Sequence, residues 1–191
     1  MLRCDIGAKY AKIKKIPFLG NSDRCLLLRQ HYARFMLAQL ASDVRVLNLD
    51  QTWLNQLNFR RRKWRVRGQT NSEPSSTVSP RVAMQLAICT SGNLYCAMSQ
   101  VNTDSNTFCL FMTWLAAKLT KEDKHWRQNT LLLIDGARYQ TSNASVEHMK
   151  ALGFRVCVSA PYSYATAPVE LAFAFLKDRD LNPGRLKTGK K

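Results

Sequence analysis

The sequence predicts an α/β domain in which a mixed central β-sheet carries helices on both faces. Three observations support this prediction: an early run of alternating apolar residues, two apolar runs joined by a short turn, and later strand patterns that alternate with helical ones. The chain has 191 residues, of which 46% are apolar, and this is enough for one α/β core. We expect the domain to span residues 23–187, after a basic linker or upstream remnant (1–22) and before a basic tail (188–191).

The first half of the chain provides one helix and three strands. Polar residues 21–23 are suited to cap a helix, and apolar residues recur at helical spacing from Arg24 to Leu40, which predicts an amphipathic helix. Val44 to Asp50 alternates as a strand that ends at Asp50. Arg81 to Thr90 and Leu94 to Val101 flank a Ser-Gly-Asn turn, which predicts a β-hairpin.

A second helix is predicted from its cap and from its apolar periodicity. Asp104 and Ser105 can cap a helix that continues to Leu119. Its apolar face is built from Phe108, Phe111, Met112, Leu115 and Leu119. Trp114 has core spacing in this helix and is expected inside, whereas Trp126 lies in a polar stretch and is expected at the surface.

The second half alternates between strands and helices. Leu131 to Asp135 is a continuous apolar run typical of a buried central strand, and Ser142 to Leu152 is helical and ends at Gly153. Arg155 to Ser159 is the next strand, which a right-handed crossover makes parallel to the previous one. A last helix follows Pro168. This order of elements is that of the ribonuclease-H-like fold, although other α/β folds share much of it.

The chain is strongly basic, with 29 Lys and Arg against 13 Asp and Glu and a formal net charge of +16. Such a surplus favours a polyanionic partner, because basic side chains release condensed counterions from phosphates. Nucleic acid is therefore the expected partner, and a structural RNA-binding role is an alternative. We expect neither a membrane span nor a small-molecule substrate, and no secretory signal is recognisable. The six cysteines form no C-x-x-C pair and are expected to be reduced, mostly buried thiols.

Three carboxylates occur where the predicted elements would bring them together. Asp50 ends the first strand, Asp135 ends the strand expected beside it, and Glu170 lies in the first turn of the last helix. Converging carboxylates repel each other unless cations neutralise them, and two Mg²⁺ or Mn²⁺ ions about 3.5–4 Å apart can activate a water and stabilise a leaving oxygen. The trio therefore favours phosphodiester cleavage. Taken singly, an Asp after a strand is also a common turn former, and a Glu in a first helical turn is a common dipole partner.

A basic stretch around Trp64 is the second functional candidate. Its cations are suited to grip phosphates while Trp64 stacks on a flipped or frayed base. The alternative is a solvated strand edge with Trp64 packed in the core. The candidate DNA-binding residues of this stretch are Arg60, Arg61, Arg62, Lys63, Trp64, Arg65 and Arg67. Lys12 to Lys15 and Arg60 to Lys63 also match nuclear address signals, so the nucleus is the expected location in a eukaryotic cell.

Three motifs of the chain resemble those of the catalytic domain of Tc/mariner-superfamily transposases, which use an Asp, Asp, Glu triad on a ribonuclease-H-like fold. The matching stretches are Val46 to Trp53, Leu132 to Arg138, and Pro161 to Glu170. Thirty-four residues (136–169) separate the second acid from the third, which is typical of one large branch of that superfamily. The chain has Gln51 where such transposases often have Glu, and Gln140 where they often have His.

The resemblance implies an activity, a cofactor and partners. Asp50, Asp135 and Glu170 would hold two magnesium or manganese ions, a water would hydrolyse a DNA strand at the transposon end, and the freed 3′ hydroxyl would attack target DNA. Double-stranded DNA, both transposon ends and target, is the implied partner, and a homodimer is a further expectation. Arg138, Tyr162 and Tyr164 are implied DNA contacts, although the two tyrosines alternatively pack their own loop.

The resemblance also sets an alternative to an active enzyme. Members of the superfamily carry a helix-turn-helix DNA-binding region ahead of the catalytic domain, whereas about forty residues precede the first motif here. A truncated or domesticated transposase that no longer cleaves DNA but still binds it is therefore the second expectation.

Overall fold

Five strands form one mixed sheet. The computed structural model describes residues 18–55, 81–163 and 166–178. The strands are β1 (Arg45–Asn55), β2 (Arg81–Cys89), β3 (Leu94–Ser99), β4 (Thr130–Ile134) and β5 (Arg155–Val158). The helices are α1 (Asp23–Ala41), α2 (Ser105–Glu122), α3 (Trp126–Asn129), α4 (Arg138–Thr141), α5 (Asn143–Leu152) and α6 (Pro168–Asp178), with a 3₁₀ turn at Phe18–Asn21. The sheet order is β3-β2-β1-β4-β5, and the predicted α/β class with a mixed sheet is confirmed.

β1 is the central strand and pairs differently on its two sides. Against β2 it runs antiparallel from Leu47 to Asn55. Against β4 it runs parallel, and the last pair is Asn48 opposite Leu133. The prediction that this strand ends at Asp50 is therefore wrong, because the antiparallel partner carries the strand on after the parallel one has stopped. The predicted hairpin of β2 with β3 and the parallel pairing of β4 with β5 are confirmed.

Each face of the sheet has its own apolar cluster. α2 and α5 cover one face, where Leu47 and Leu49 of β1 belong to the larger cluster. α6 covers the other face and contributes Val169 to the smaller cluster. Because side chains alternate along a strand, Asn48 and Asp50 belong to the α6 face. The central strand therefore offers an apolar face to α2 and a partly polar face to α6.

α2 is capped and packed as predicted. The Asp104 carboxylate accepts a hydrogen bond from the Thr107 N–H at 2.8 Å, and the Thr107 hydroxyl accepts one from the Asp104 N–H at 2.8 Å, which completes a capping box. All five residues of the predicted apolar face are buried. This helix anchors the larger cluster.

The burial of two tryptophans is the reverse of the prediction: Trp114 is exposed and Trp126 is buried. Trp114 is 38% exposed, because its ring lies against Phe111 at the margin of the buried face instead of entering the core. Trp126 is fully buried, since the short helix α3 turns its ring onto Phe154 at 4.7 Å. Its indole N–H donates to the Thr120 hydroxyl at 2.9 Å. Both predictions were wrong. For Trp126, the polar residues around it in the sequence gave no indication that its ring would point into the core.

α1 agrees with its predicted bounds within a residue but does not bury an apolar face. None of its residues is buried, and Leu27, Leu37 and Leu40 are each more than half exposed. The helix contacts the end of the sheet through Gln39, which accepts a hydrogen bond from the Arg155 guanidinium at 3.0 Å. The apolar spacing therefore predicted the helix and not its packing. Among the described helices, none combines the length and the apolar character needed to cross a bilayer.

The cysteines are less buried than predicted. Five of the six lie in the described residues, and all five are free thiols. Only Cys89 is buried, while Cys96 is exposed and the others are half-buried. The prediction of mostly buried thiols is therefore wrong.

Candidate active site

The sheet register places Asp50 level with Asp135. The parallel ladder between β1 and β4 ends with Asn48 opposite Leu133, and each aspartate lies two residues beyond its member of that pair. Both aspartates line the same cavity. Asp50 thus reaches the carboxyl end of β4 although it lies inside its own strand.

Glu170 reaches the same cavity from the first turn of α6. The helix begins at Pro168. Proline suits this position, because the N–H of the first helical residue would have no partner within the helix. At this end the Val169 N–H donates to the Asn48 side-chain oxygen at 3.0 Å. At the other end the Lys177 ammonium donates to the hydroxyl of Thr52. α6 therefore lies along β1, and both of its ends are hydrogen-bonded to that strand.

The cavity has a volume of about 560 Å³ and an acidic lining. Asp50 is half-buried in its wall, whereas Asp135 and Glu170 are exposed. Gly136 and Tyr162 are among the other lining residues. The three predicted acids are thus brought together from β1, from the turn after β4 and from α6.

The electrostatics of Asp50 show that the three acids act on one another. Burial raises the pKa of Asp50 to about 6, and the negative charges of Asp135 and Glu170 act in the same direction. The hydrogen bond from the Gln51 N–H, at 2.6 Å, and the charge of Lys177 lower this pKa. The site therefore carries more negative charge than its own lysine balances, which favours a bound cation.

A tight turn presents Asp135. Gly136 has φ +82°, and a Cβ at this position would lie 2.8 Å from Cγ1 of Val158, so the turn requires glycine. The Gly136 N–H donates to the Gln140 side-chain oxygen at 3.1 Å, and the Ala137 N–H donates to the Asp135 carboxylate at 3.3 Å. Gln140 is 1% exposed. This glutamine therefore holds the turn that carries the second acid.

Tyr139 adds a phenol close to the acids. Burial raises the pKa of Tyr139 to about 12, and the charges of Asp135 and Asp50 act in the same direction. The phenol is therefore protonated at neutral pH and does not act as a base, and its oxygen accepts a hydrogen bond from Nε2 of Gln140 at 3.4 Å.

The donor chemistry of the site suits a hard divalent cation. Carboxylate oxygens are the ligands that Mg²⁺ and Mn²⁺ prefer, and Asp50, Asp135 and Glu170 are the residues that would hold such ions. Across residues 18–55, 81–163 and 166–178, no three His, Cys, Asp or Glu side chains cluster tightly enough to enclose one ion. The fit rests on the oxygen donors that line the cavity and on the negative charge that Asp50 experiences.

The other predicted DNA-binding residues are described only in part. Arg138 begins α4 directly after the Asp135 turn, and its side chain is exposed. Tyr162 borders the cavity with 39% of its surface exposed, and a Cβ at Gly20 would lie 3.5 Å from its ring. Tyr162 thus packs against its neighbours and also reaches the site. Tyr164 and the stretch from Arg60 to Arg67 lie outside the described residues.

Sequence reasoning missed three side chains that support the site. Asn48 and Thr52 are 4% and 7% exposed and flank Asp50 on the α6 face of β1. Lys177 of α6 bonds Thr52 and lowers the pKa of Asp50. The available signal was the polar residue at positions 48, 50 and 52, alternating with Leu47, Leu49 and Trp53, which indicates a buried face with partners to satisfy.

The fold and the site together define a class of protein. A mixed sheet that gathers three carboxylates in one cavity is an arrangement suited to metal-dependent cleavage of phosphodiesters. The sequence pattern of the DDE superfamily endonucleases matches residues 45–191. The chain therefore belongs to the DDE superfamily endonuclease family, as the resemblance of its three motifs predicted.

Solved structures of Mos1 transposase share the fold. The chain is similar to the Mos1 transposase paired-end complex with left transposon end, with 19% identity and a TM-score of 0.70 over 92% of this chain and 54% of that one. It is similar to the Mos1 mariner paired end complex with Mn (19%, TM-score 0.71, 89% of this chain and 53% of that one). It is also similar to the Mos1 Strand Transfer Complex (18%, TM-score 0.66, 92% and 53%).

These likenesses confirm the predicted ribonuclease-H-like fold. The chain spans about half the length of the Mos1 chains that it matches. No curated protein matches the sequence.

Proposed function

We propose that this chain is a transposase catalytic domain that cleaves DNA at transposon ends and joins the freed ends to target DNA. Asp50, Asp135 and Glu170 are its catalytic carboxylates. The observation that carries the proposal is the shared cavity of a chain from an endonuclease family: it brings three acids together, and burial, with the charges of Asp135 and Glu170, raises the pKa of Asp50 there. The Mos1 structures with a transposon end, with Mn and in a strand transfer complex support the same assignment.

The main contribution of the protein is to hold three acids in fixed positions. Strand pairing fixes Asp50, the glycine turn and Gln140 fix Asp135, and the hydrogen-bonded start of α6 fixes Glu170. Two Mg²⁺ or Mn²⁺ ions held by these carboxylates would supply an activated water and stabilise the leaving oxygen. The same site serves hydrolysis and strand transfer, because both steps are attack by an oxygen nucleophile on a phosphodiester, first from water and then from a DNA 3′ hydroxyl.

The charge of the chain supplies the affinity for DNA. A net charge of +16 attracts the phosphates of double-stranded DNA, both at transposon ends and at the target. Tyr162, which lines the cavity, and Arg138, which follows the Asp135 turn, contact the strand to be cut. Tyr164 and the basic stretch Arg60 to Arg67 add further contacts to the same DNA. The same proposal includes a homodimer that holds two transposon ends. It also includes a nuclear location in a eukaryotic cell.

A nicking assay tests the proposal. Purified chain is incubated with supercoiled DNA in EDTA, in Mg²⁺ and in Mn²⁺, and open circles are quantified. Three variants each remove one carboxylate that would hold the metal ions: Asp50→Asn, Asp135→Asn and Glu170→Gln. Each is expected to reduce metal-dependent nicking by at least about 100-fold, because the ions would stabilise the leaving oxygen. Glu147→Gln is the matched control, since Glu147 is an exposed carboxylate of α5, which covers the opposite face of the sheet.

The outcomes separate an enzyme from a remnant. Nicking by wild type and by Glu147→Gln, with loss in the three site variants, supports the proposal. Equal nicking by wild type and Asp50→Asn means that the activity comes from elsewhere, and the proposed site is then wrong. DNA binding without nicking in either metal supports the inactive DNA-binding remnant.

A further inference from the structure

Asn48 is a buried polar side chain, and both its amide nitrogen and its amide oxygen are hydrogen-bonded. It is 4% exposed and lies on the α6 face of β1. Its Nδ2 donates to the carbonyl oxygen of Leu133 at 3.4 Å, and its Oδ1 accepts from the Val169 N–H at 3.0 Å. One side chain thus joins β1, β4 and α6.

Each of the three segments that Asn48 joins carries one of the proposed catalytic acids. Asp50 lies two residues further along β1, Asp135 lies two residues after Leu133, and Glu170 directly follows Val169. The two partners are 85 and 121 residues away in sequence. No acid is more than two residues from an atom of this hydrogen-bonded link.

The start of α6 shows why the link is needed. The first N–H groups of a helix lack helical partners, and a Ser, Thr, Asp or Asn just before the helix usually accepts one of them. Here Ala167 precedes Pro168 and has no side chain able to do so. Asn48 performs this capping from another strand, so the orientation of the turn that carries Glu170 depends on β1.

The chemistry of the two partners requires an amide. The Leu133 carbonyl can only accept a hydrogen bond, and the Val169 N–H can only donate one. Asparagine supplies both the donor and the acceptor. Leucine, of similar size, supplies neither, and aspartate at neutral pH supplies only the acceptor and opposes a carboxylate to the Leu133 carbonyl.

We propose that Asn48 is a positioning residue that sets the mutual placement of Asp50, Asp135 and Glu170. The inference rests on the proposed function, since it assigns how the three acids are held for metal-dependent DNA cleavage. Asn48 borders the cavity, but both of its polar atoms are bonded to the backbone, and the proposed role is to hold these segments in place. Supporting residues around metal ligands commonly change metal affinity or activity by about 10–100-fold when they are altered.

Three variants of the full chain test the inference. Asn48→Leu removes both hydrogen bonds, and Asn48→Asp in its ionised form retains only the one to Val169. Thr130→Val is the matched control: Thr130 is 1% exposed at the opposite end of β4, and its hydroxyl accepts from the Arg45 guanidinium at 3.0 Å. The Thr130 hydroxyl also donates to the Asn129 side-chain oxygen at 3.1 Å, so the control, like Asn48→Leu, loses two side-chain hydrogen bonds, and it does so without touching the acids.

The readouts are single-turnover nicking at saturating DNA, the Mn²⁺ concentration for half-maximal rate, and the Kd for DNA. For Asn48→Leu we expect a rate about 10–100-fold lower and a higher half-saturating Mn²⁺ concentration, with DNA affinity unchanged within about twofold. Thr130→Val is expected to remain within about threefold of wild type in all three. If Asn48 has only a structural role, Asn48→Leu and Thr130→Val lower the fraction of active protein equally, and the half-saturating Mn²⁺ concentration is the same as in wild type.

Hydrogen exchange of the wild-type chain gives a test that needs no variant. The Val169 amide is expected to exchange at least about tenfold more slowly than an open amide, although the first turn of a helix is usually unprotected. Unprotected exchange at Val169 overturns the inference. So does an Asn48→Leu variant that nicks like wild type with the same Mn²⁺ requirement. Absence of nicking by wild type overturns the proposed function itself, and the two failures are therefore distinct.

Discussion

Asp50→Asn is expected to stabilise the metal-free protein while it abolishes DNA cleavage. The carboxylate of Asp50 is half-buried beside two other acids, and without metal the favourable charge of Lys177 does not offset its burial and their negative charges. Asparagine has nearly the same shape and no charge. The substitution therefore removes the cost of burying a charge, together with the repulsion from the other two acids, and leaves the packing under α6 in place.

The size of the effect follows from the pKa of Asp50, which rises from 3.8 to about 6 on folding. Each pH unit corresponds to about 1.4 kcal/mol, so the ceiling is about 3 kcal/mol. Solvent reaches part of this side chain and screens its neighbours, which reduces the expected gain to about 1–2 kcal/mol. Between pH 3.8 and pH 6 the native state binds more protons than the unfolded state. Wild type therefore loses stability as the pH rises through this window, and Asp50→Asn does not.

Urea unfolding in EDTA measures the difference at pH 4 and pH 7.5. At pH 4 the two proteins are expected to have nearly the same free energy of unfolding, and at pH 7.5 the variant is expected to be the more stable. Asp43→Asn is the matched control, since Asp43 is exposed and its φ of +54° is a conformation that asparagine tolerates. Mn²⁺ at ten times its Kd is expected to add about 1.4 kcal/mol to wild type and little to Asp50→Asn.

Two results would refute this reasoning. The first is a metal-free Asp50→Asn protein that is less stable than wild type at pH 7.5, which would mean that the carboxylate makes a net favourable contact. The second is a gain of the same size at pH 4 and pH 7.5, because an effect without pH dependence does not come from ionisation of Asp50.

Two further predictions concern the fold that holds the site. Gly136→Ala is expected to lower the free energy of unfolding by at least about 1 kcal/mol and to reduce nicking, because alanine is strained at φ +82° and its Cβ meets Val158. A urea titration and the nicking assay measure the two effects. Unchanged values in both would contradict the prediction. Trp126→Ala is expected to destabilise the chain by about 3–5 kcal/mol, and Trp114→Ala by clearly less, because only Trp126 is fully buried. Equal losses in the two unfolding curves would contradict the assigned burial.

Local patterns predicted most of the elements, because local physics decides them. The capping box of α2 and the apolar periodicity that follows it are contained in one stretch of sequence, and the five predicted core positions are buried. The hairpin follows from two apolar runs and the turn between them. The end of β1 was missed because a non-local partner sets it: β2 continues the ladder beyond Asp50 after β4 has stopped.

The candidate site was predictable as a set of acids but not as a structure. Chain order and motif resemblance pointed to Asp50, Asp135 and Glu170, and the structure brings them to one cavity. The supports were not predicted, because each pairs residues that are distant in sequence or that give no local signal. Asn48 caps a helix 121 residues away, and Gln140 holds the turn at Gly136.

The polar pattern of β1 has a physical consequence for the whole domain. The central strand places three polar residues, Asn48, Asp50 and Thr52, on the face that α6 covers. Asn48 and Thr52 are satisfied by the two ends of α6, whereas Asp50 is left with a raised pKa between them. The hydrogen bonds that tie α6 to the sheet thus hold Glu170 close to a carboxylate that repels it. A face built in this way gives up stability in the metal-free protein, and a divalent cation held by the three acids would restore it.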